Sequence, residues 1–345
     1  MKKYIKFLFI IGLTIFLIIG LNVISNPYPT AQPPPFGEVS HICWVVSDIY
    51  KFADYWQKNG FPKISIVENN HINSGKYKSK KLDTVVNSAD FELEGVGFEI
   101  FQPVKGESPF SDFLKKHGEG INHIAFTSND KSEFENHISR LINMGIKIQA
   151  QGTFKSEYGE ATWIYFDTES IGGIVFELMY VPPNPKGEAE KITSQENKFP
   201  YGKITQFGLV VKDVDKVCNF YEKIGFKIRT INRDNKGLLR RYKGVEKDIR
   251  MSVGWSNFGS IPLEIIQPTK EKSVYDDFLE KHGEGMQHFG FNVENIDTSI
   301  KSLKKLGIEN VQDGAWGKSE VEGRFAYMNT EPVGGLCIEL LWNKK

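Results

Sequence analysis

The sequence predicts an α+β fold: one strand–helix–three-strand (βαβββ) module written four times, as two tandem two-module domains, behind an apolar N-terminal helix. Three observations predict it. The segment His117-Gly118-Glu119-Gly120 returns 165 residues later as His282-Gly283-Glu284-Gly285, and the same offset carries Gly60-Phe61 onto Gly225-Phe226 and Gln102-Pro103 onto Gln267-Pro268. A weaker offset of 82 doubles each copy internally, mapping His41 onto His123 and Gly225 onto Gly307. Within each unit the apolar residues change from the spacing of a strand to that of a helix and back.

The chain opens with Lys2, Lys3 and Lys6, followed by a largely apolar run of 18 residues from Phe7 to Ile24. A helix of that length reaches about 27 Å, close to the roughly 30 Å hydrocarbon core of a bilayer. The lysines before it and the proline-rich stretch 26–37 after it favour a signal segment or membrane anchor over residues 1–36 rather than a core helix. On this reading the chain meets a membrane through the N-terminal helix. The lysines stay inside, and the main part is extracytoplasmic, membrane-anchored or secreted.

Residues 37–182 are expected to form the first domain and 203–345 the second. Between them, residues 183–202, with Pro183, Pro185 and Pro200, read as a linker. In the first module residues 41–46 read as a strand, and Phe52, Tyr55 and Trp56 mark the buried face of a helix that Gly60 ends. Strands follow at 64–68, 82–91 and 96–102. The second module begins with the strand 123–127, and its helix stops at Gly145. The third carries Val217, Phe220, Tyr221 and Ile224 before Gly225, and the fourth has its stop at Gly307.

Charge and cysteine usage narrow the chemistry. Lys+Arg and Asp+Glu both number 43, so no basic excess offers a footprint for nucleic acid. Cys43, Cys218 and Cys337 are too few and too scattered for a disulfide scaffold or a thiolate zinc site.

Four polar residues sit within apolar strand sequence in the first copy: His41, Glu99, His123 and Glu177. The matching positions in the second are Gln206, Glu264, His288 and Glu339. A buried carboxylate needs a compensating charge or hydrogen bonds, and one bound cation would compensate two carboxylates together. Nitrogen and oxygen ligands without thiolate suit a divalent ion such as Mn, Co, Ni, Zn or Fe(II). Four protein ligands leave two of six places open, enough for a small molecule with two neighbouring oxygens. Such an ion would stabilise enolate-type charge, with a glutamate removing the proton beside the carbonyl. His117 and His282 also repeat, but they lie in a glycine turn and read as hydrogen-bonding residues. His71 and His137 have no counterpart and read as surface residues.

These features resemble the vicinal oxygen chelate superfamily, also called the glyoxalase/bleomycin-resistance/dioxygenase superfamily. The segment Phe98-Glu-Ile-Phe-Gln-Pro, the run from Ser108 to Phe126 and Gly172-Gly-Ile-Val-Phe-Glu177 are similar to methylmalonyl-CoA epimerase. The ligand types resemble those of glyoxalase I, both the form with histidine at the first place (His41) and the form with glutamine there (Gln206). The epimerase usually has glutamine where Glu99 and Glu264 stand. The resemblance implies tandem domains of this superfamily and a metal-dependent isomerase or lyase, with Glu177 and Glu339 as ligands and proton-transfer bases. A glyoxalase I-like lyase and a non-catalytic small-molecule binding or resistance protein are the alternatives. Extradiol dioxygenases of the superfamily hold iron with two histidines and one glutamate. The additional glutamate here takes a place that oxygen needs, which sets that reading aside.

Overall fold

The structure is a computed structural model and describes residues 35–185 and 203–344, apart from Glu94. In chain order the first half contains β1 (Val39–Val45), α1 (Ile49–Lys58), β2 (Ser65–Ile72), β3 (Gly75–Tyr77), β4 (Lys80–Lys81), β5 (Thr84–Leu93) and β6 (Val96–Lys105). It continues with α2 (Pro109–His117), β7 (Gly120–Ser128), α3 (Lys131–Asn143), β8 (Ile148–Ser156), β9 (Gly159–Phe166) and β10 (Val175–Tyr180). The second half repeats it with β11 (Ile204–Val210), α4 (Val214–Lys223), β12 (Thr230–Asn235), β13 (Leu239–Tyr242), β14 (Val245–Glu246), β15 (Arg250–Phe258) and β16 (Ile261–Lys270). Then come α5 (Val274–His282), β17 (Gly285–Asn292), α6 (Ile296–Lys305), β18 (Asn310–Trp316), β19 (Gly323–Met328) and β20 (Cys337–Asn343).

Local chemistry repeats with the modules. The helices α1, α3, α4 and α6 start on Asp48, Asp130, Asp213 and Asn295, whose side chains accept backbone N–H bonds of the first turn. Each of these helices is followed by a glycine at positive φ, namely Gly60, Gly145, Gly225 and Gly307. Two features depart from the expected modules. The hairpins β3–β4 and β13–β14 are inserted between the second and third strands of modules one and three. The helices α2 and α5 bridge successive modules.

The strands form two mixed ten-stranded sheets, ordered β2-β5-β6-β1-β7-β10-β9-β8-β3-β4 and, in the second half, β12-β15-β16-β11-β17-β20-β19-β18-β13-β14. The chain passes from β2 at one edge to β3, beside the opposite edge strand β4, between Ile72 and Gly75. Three residues span at most about 10 Å, so the two edges must lie close and the sheet curls into a bowl. The short step from β12 to β13 does the same in the second sheet.

Alternating residues go to different sides of each sheet. Ile42 and Trp44 join a large core that contains residues of both halves, while Cys43 and Val45 face the inner side of the first bowl. Ring contacts such as Trp44–Phe289 and Phe126–Phe226 lie within that shared core. The repeated turns meet across it. His117 Nδ1 bonds the carbonyl oxygen of His282 at 2.5 Å, and His282 Nδ1 bonds that of His117 at 2.6 Å. The second nitrogen of each ring contacts a carboxylate, Glu169 at 2.7 Å and Glu331 at 2.9 Å. Gly173 packs on the Glu284 carbonyl, and Gly335 on that of Glu119. Both glycines have positive φ.

One expectation is corrected. Among the described residues no helix is long and apolar enough to cross a membrane. The longest, α3, has 13 residues and reaches about 20 Å, well short of the roughly 30 Å needed. The signal or anchor helix in 1–36 lies outside the described residues, so nothing in the structure supports the membrane contact or the extracytoplasmic placement drawn from it. Most of the linker, residues 186–202, also lies outside them.

Candidate metal centres

Strand register explains how residues far apart in sequence meet. In the first sheet Cys43 stands opposite Glu99 on one side and His123 on the other. His41 and Glu177 both stand opposite Ala125. The four polar residues therefore alternate on adjacent rows of four neighbouring strands, all on the inner face. Between them lie only the small side chains of Cys43 and Ala125. The second sheet reproduces the pattern, with Gly208 between Glu264 and His288, and Gly290 between Gln206 and Glu339. At Gly208 a Cβ would overlap the His288 ring, so glycine is what lets that imidazole lie across the strand.

In the first bowl Glu177 Oε2 lies 3.0 Å from His41 Nε2 and 3.1 Å from His123 Nε2. Glu99 Oε2 lies 3.5 Å from His41 Nε2 and 3.9 Å from His123 Nε2. In the second, Glu339 Oε2 is 3.3 Å from His288 Nε2 and accepts from Gln206 Nε2 at 3.1 Å, and Glu264 Oε2 is 3.8 Å from His288 Nε2. All eight expected site residues thus fall in two clusters of four. Candidate ligand atoms of His41, Glu99 and His123, and of Glu264, His288 and Glu339, lie within 4.8 Å of one another.

The bowls suit a cation. His123 Nε2, His288 Nε2 and Glu177 Oε2 are buried and make no well-aligned hydrogen bond despite their short separations. The two imidazoles contact amide oxygens through their other nitrogens, Asn122 Oδ1 at 3.1 Å and Gln287 Oε1 at 2.7 Å. That fixes the proton on Nδ1 and leaves the Nε2 lone pair for the bowl. Charge tells the same story. Burial would raise the Glu177 carboxyl, but His123 and His41 hold it down to about 2. Burial pushes Glu99 up to about 7. Burial would lower His41, but Glu99 and Glu177 bring it above its ordinary value, while burial keeps His123 below its own. In the second bowl burial, and then Glu339, raise Glu264 well above the carboxylate range. Protein groups alone therefore hold Glu177 ionised but leave Glu99 and Glu264 without compensation, which a divalent ion would supply. A divalent metal is the cofactor class that these donor sets fit. The Glu99 and Glu264 side chains, 15% and 16% exposed against 4% for Glu177 and Glu339, mark the side that solvent reaches.

Some participants were not evident beforehand. Asn122 and Gln287 orient the histidines, and the one available signal was an amide preceding histidine in both copies. Tyr165 and Tyr327 place their rings beside His123 and His288, with centroids 4.6 and 5.0 Å apart. His117 and His282 stay outside both clusters, in the turn contacts described above.

The Glyoxalase/Bleomycin resistance protein/Dioxygenase superfamily model matches residues 40–166 and 205–327. The chain belongs to this superfamily. Human mitochondrial methylmalonyl-CoA epimerase is 28% identical over 145 residues, 40% of this chain and 73% of that protein. The superfamily likeness extends further along the chain with 4-hydroxyphenylpyruvate dioxygenase of Aspergillus fumigatus. It is 22% identical over 319 residues, 82% of this chain and 76% of the dioxygenase. A mutant of 4-hydroxymandelate synthase from Streptomyces coelicolor shares the fold with a TM-score of 0.61 at 16% identity, covering 91% of this chain and 94% of the other. The curated relatives carry epimerase and dioxygenase names, which corrects the expectation of a lyase and returns the dioxygenases to consideration.

Proposed function

We propose that the chain is a divalent-metal-dependent enzyme that transfers a proton on the carbon beside a carbonyl, in a small molecule with two vicinal oxygens. Residues 37–182 and 203–345 are the two units that carry the chemistry. The ligands are His41, Glu99, His123 and Glu177 in the first and Gln206, Glu264, His288 and Glu339 in the second. The supporting observation is the convergence of four buried or half-buried donors on the inner face of each sheet. A bound divalent ion would supply Lewis acidity to the substrate oxygens. The bowl walls exclude water from Glu177 and Glu339. Each holds Oε2 against an imidazole, and we assign the other carboxylate oxygen, Oε1, as the acceptor of the substrate proton. Asn122 and Gln287 keep the imidazoles in one tautomer.

A second reading is oxygenation, favoured by the dioxygenase likeness over most of the chain. The two readings separate in one experiment. Full-length protein loaded with Mn, Fe(II), Co, Ni or Zn is assayed for metal content. It is then assayed for deuterium exchange at the α-carbon of methylmalonyl thioesters by NMR, and for oxygen uptake with 2-oxo acids. Bound metal with exchange and no oxygen uptake is expected. Oxygen uptake without exchange would establish the second reading, and a protein that holds no metal would end both.

A further inference from the structure

The two bowls match at three of their four proposed metal-facing places, with Gln206 standing where the first has His41, and they differ further in what faces the ligand. Strand register gives the correspondence: Tyr77 stands opposite Ala150 in the first sheet, and Tyr242 opposite Gln312 in the second. Gly75 then matches Arg240, Ala150 matches Gln312, Trp163 matches Phe325, and Phe110 at the start of α2 matches Tyr275 at the start of α5. The first bowl is apolar at these places. The second carries a guanidinium, an amide and a hydroxyl.

These groups are buried and hold unused donors. Arg240 is 6% exposed. Its Nη1 donates to the carbonyl oxygens of Asn235 and Ile249 and its Nη2 to Asn235 Oδ1, but Nε is buried without a hydrogen-bond partner. Gln312 is 1% exposed. Its Oε1 accepts from the Val274 backbone, which turns the amide nitrogen the other way, and that Nε2 is also buried without a partner. Arg240 lies diagonally across the β13–β18 ladder from Gln312, on the face of Tyr242. Gln312 in turn stands opposite Tyr327, whose hydroxyl pairs with that of Tyr275 at 2.9 Å and whose ring lies 5.0 Å from that of His288. One hydroxyl hydrogen serves the tyrosine pair and the other stays available. Two unpaired buried donors of this kind are costly unless something accepts from them. The unused groups are all donors and one is cationic, so the missing acceptor is anionic and small.

We infer that the second bowl holds a carboxylate-bearing ligand, with its carboxylate on Arg240, Gln312 and the Tyr275–Tyr327 pair, and that the first bowl lacks this subsite. The inference deepens the proposed function and rests on it for the ligand's other end, which faces Gln206, Glu264, His288 and Glu339. In the first bowl the β8 backbone and Trp163 crowd the corresponding space. A Cβ at Gly75 would lie 2.5 Å from the Gln151 carbonyl oxygen and 3.2 Å from the Trp163 ring, so no side chain fits where Arg240 stands without a backbone shift.

The test is calorimetric titration of the full chain, Mn-loaded and separately EDTA-treated, with phenylacetate and its neutral counterpart phenylacetamide. One carboxylate per chain is expected, with the amide about ten-fold weaker or more, since hydrogen bonds to charged groups are the strong ones. Arg240→Met should remove that preference. It also breaks contacts to Asn235 and Ile249, so Gln312→Ala and Tyr275→Phe, which install smaller groups like those of the first bowl, provide the second measurement. Each should weaken phenylacetate several-fold and leave phenylacetamide unchanged. Equal binding of acid and amide, binding of neither, or an acid preference indifferent to all three substitutions overturns the subsite. A preference that depends on Arg240 in EDTA-treated protein, with no metal retained in the other arm, would uphold the subsite and end the metal reading. Retained metal with no such preference would do the reverse.

Discussion

At the scale of single residues, the arrangement turns on which imidazole nitrogen carries the proton. The Asn122 and Gln287 oxygens take Nδ1, so Nε2 is left as a lone-pair donor at the centre of each bowl. Asn122→Leu and Gln287→Met keep the approximate volume and remove that acceptor. Each is expected to lower metal affinity at its own centre by about ten- to a hundred-fold, measured by competition with a chromophoric chelator, with the other centre unchanged. The residues that converge in the two bowls were legible in the sequence because a histidine or glutamate inside an apolar strand costs too much to place without a purpose, and the repeat carried Gln206 with them. Arg240 and Gln312 were not. Arg240 sits in Leu-Leu-Arg-Arg-Tyr beside a second arginine, which reads as a charged edge. Only the ladder to β18 shows that one of the pair turns inward.

At the scale of elements, the modules were legible because each helix ends at a glycine and the offsets of 165 and 82 carry much of one module onto another, and the structure adds the Asp or Asn caps that start these helices. The hairpin β3–β4 was not. Its Lys78, Lys80 and Lys81 read as a solvated loop, and its partner β8 lies some seventy residues away, beyond any local period. The helix α2 escaped notice because its buried side chains, Pro109, Phe110 and Phe113, are too few to show a period. The glycine pairs at 172–173 and 334–335 belong to this scale also. A Cβ on Gly173 would run into the Glu284 backbone of the other half, at a positive φ, whereas Gly145, also at positive φ, has nothing within 4 Å. Gly173→Ala should therefore cost about 2–4 kcal/mol, from backbone strain together with overpacking. Gly145→Ala should cost only the strain, about 1–2 kcal/mol. Denaturant titration of both variants would reveal the difference, and equal losses would mean that the turns do not press on each other.

At the scale of the whole molecule, the two halves share one core and are joined around the paired histidine turns. Glu169 belongs to this junction, its carboxyl lowered to about 2 by the hydrogen bond from His117 and by Lys116. A depressed carboxylate contributes stability that is complete above its ordinary value of 4.5 and is lost as pH falls toward 2. The wild-type chain should lose stability in acid across that window. Glu169→Gln should show a shallower slope there in denaturant titrations at stepped pH, and an unchanged slope would remove Glu169 from the junction. The reciprocal contacts between the histidine turns have a wider consequence. An interface in which each side asks the other for the same residues is one that two separate identical chains could form. Covalent connection turns such an encounter into a local event at millimolar effective concentration. Pairing no longer depends on how much protein is present, and each half is released from having to match itself. The two bowls are therefore free to differ, one with Arg240 where the other has Gly75, and Phe325 where the other has Trp163.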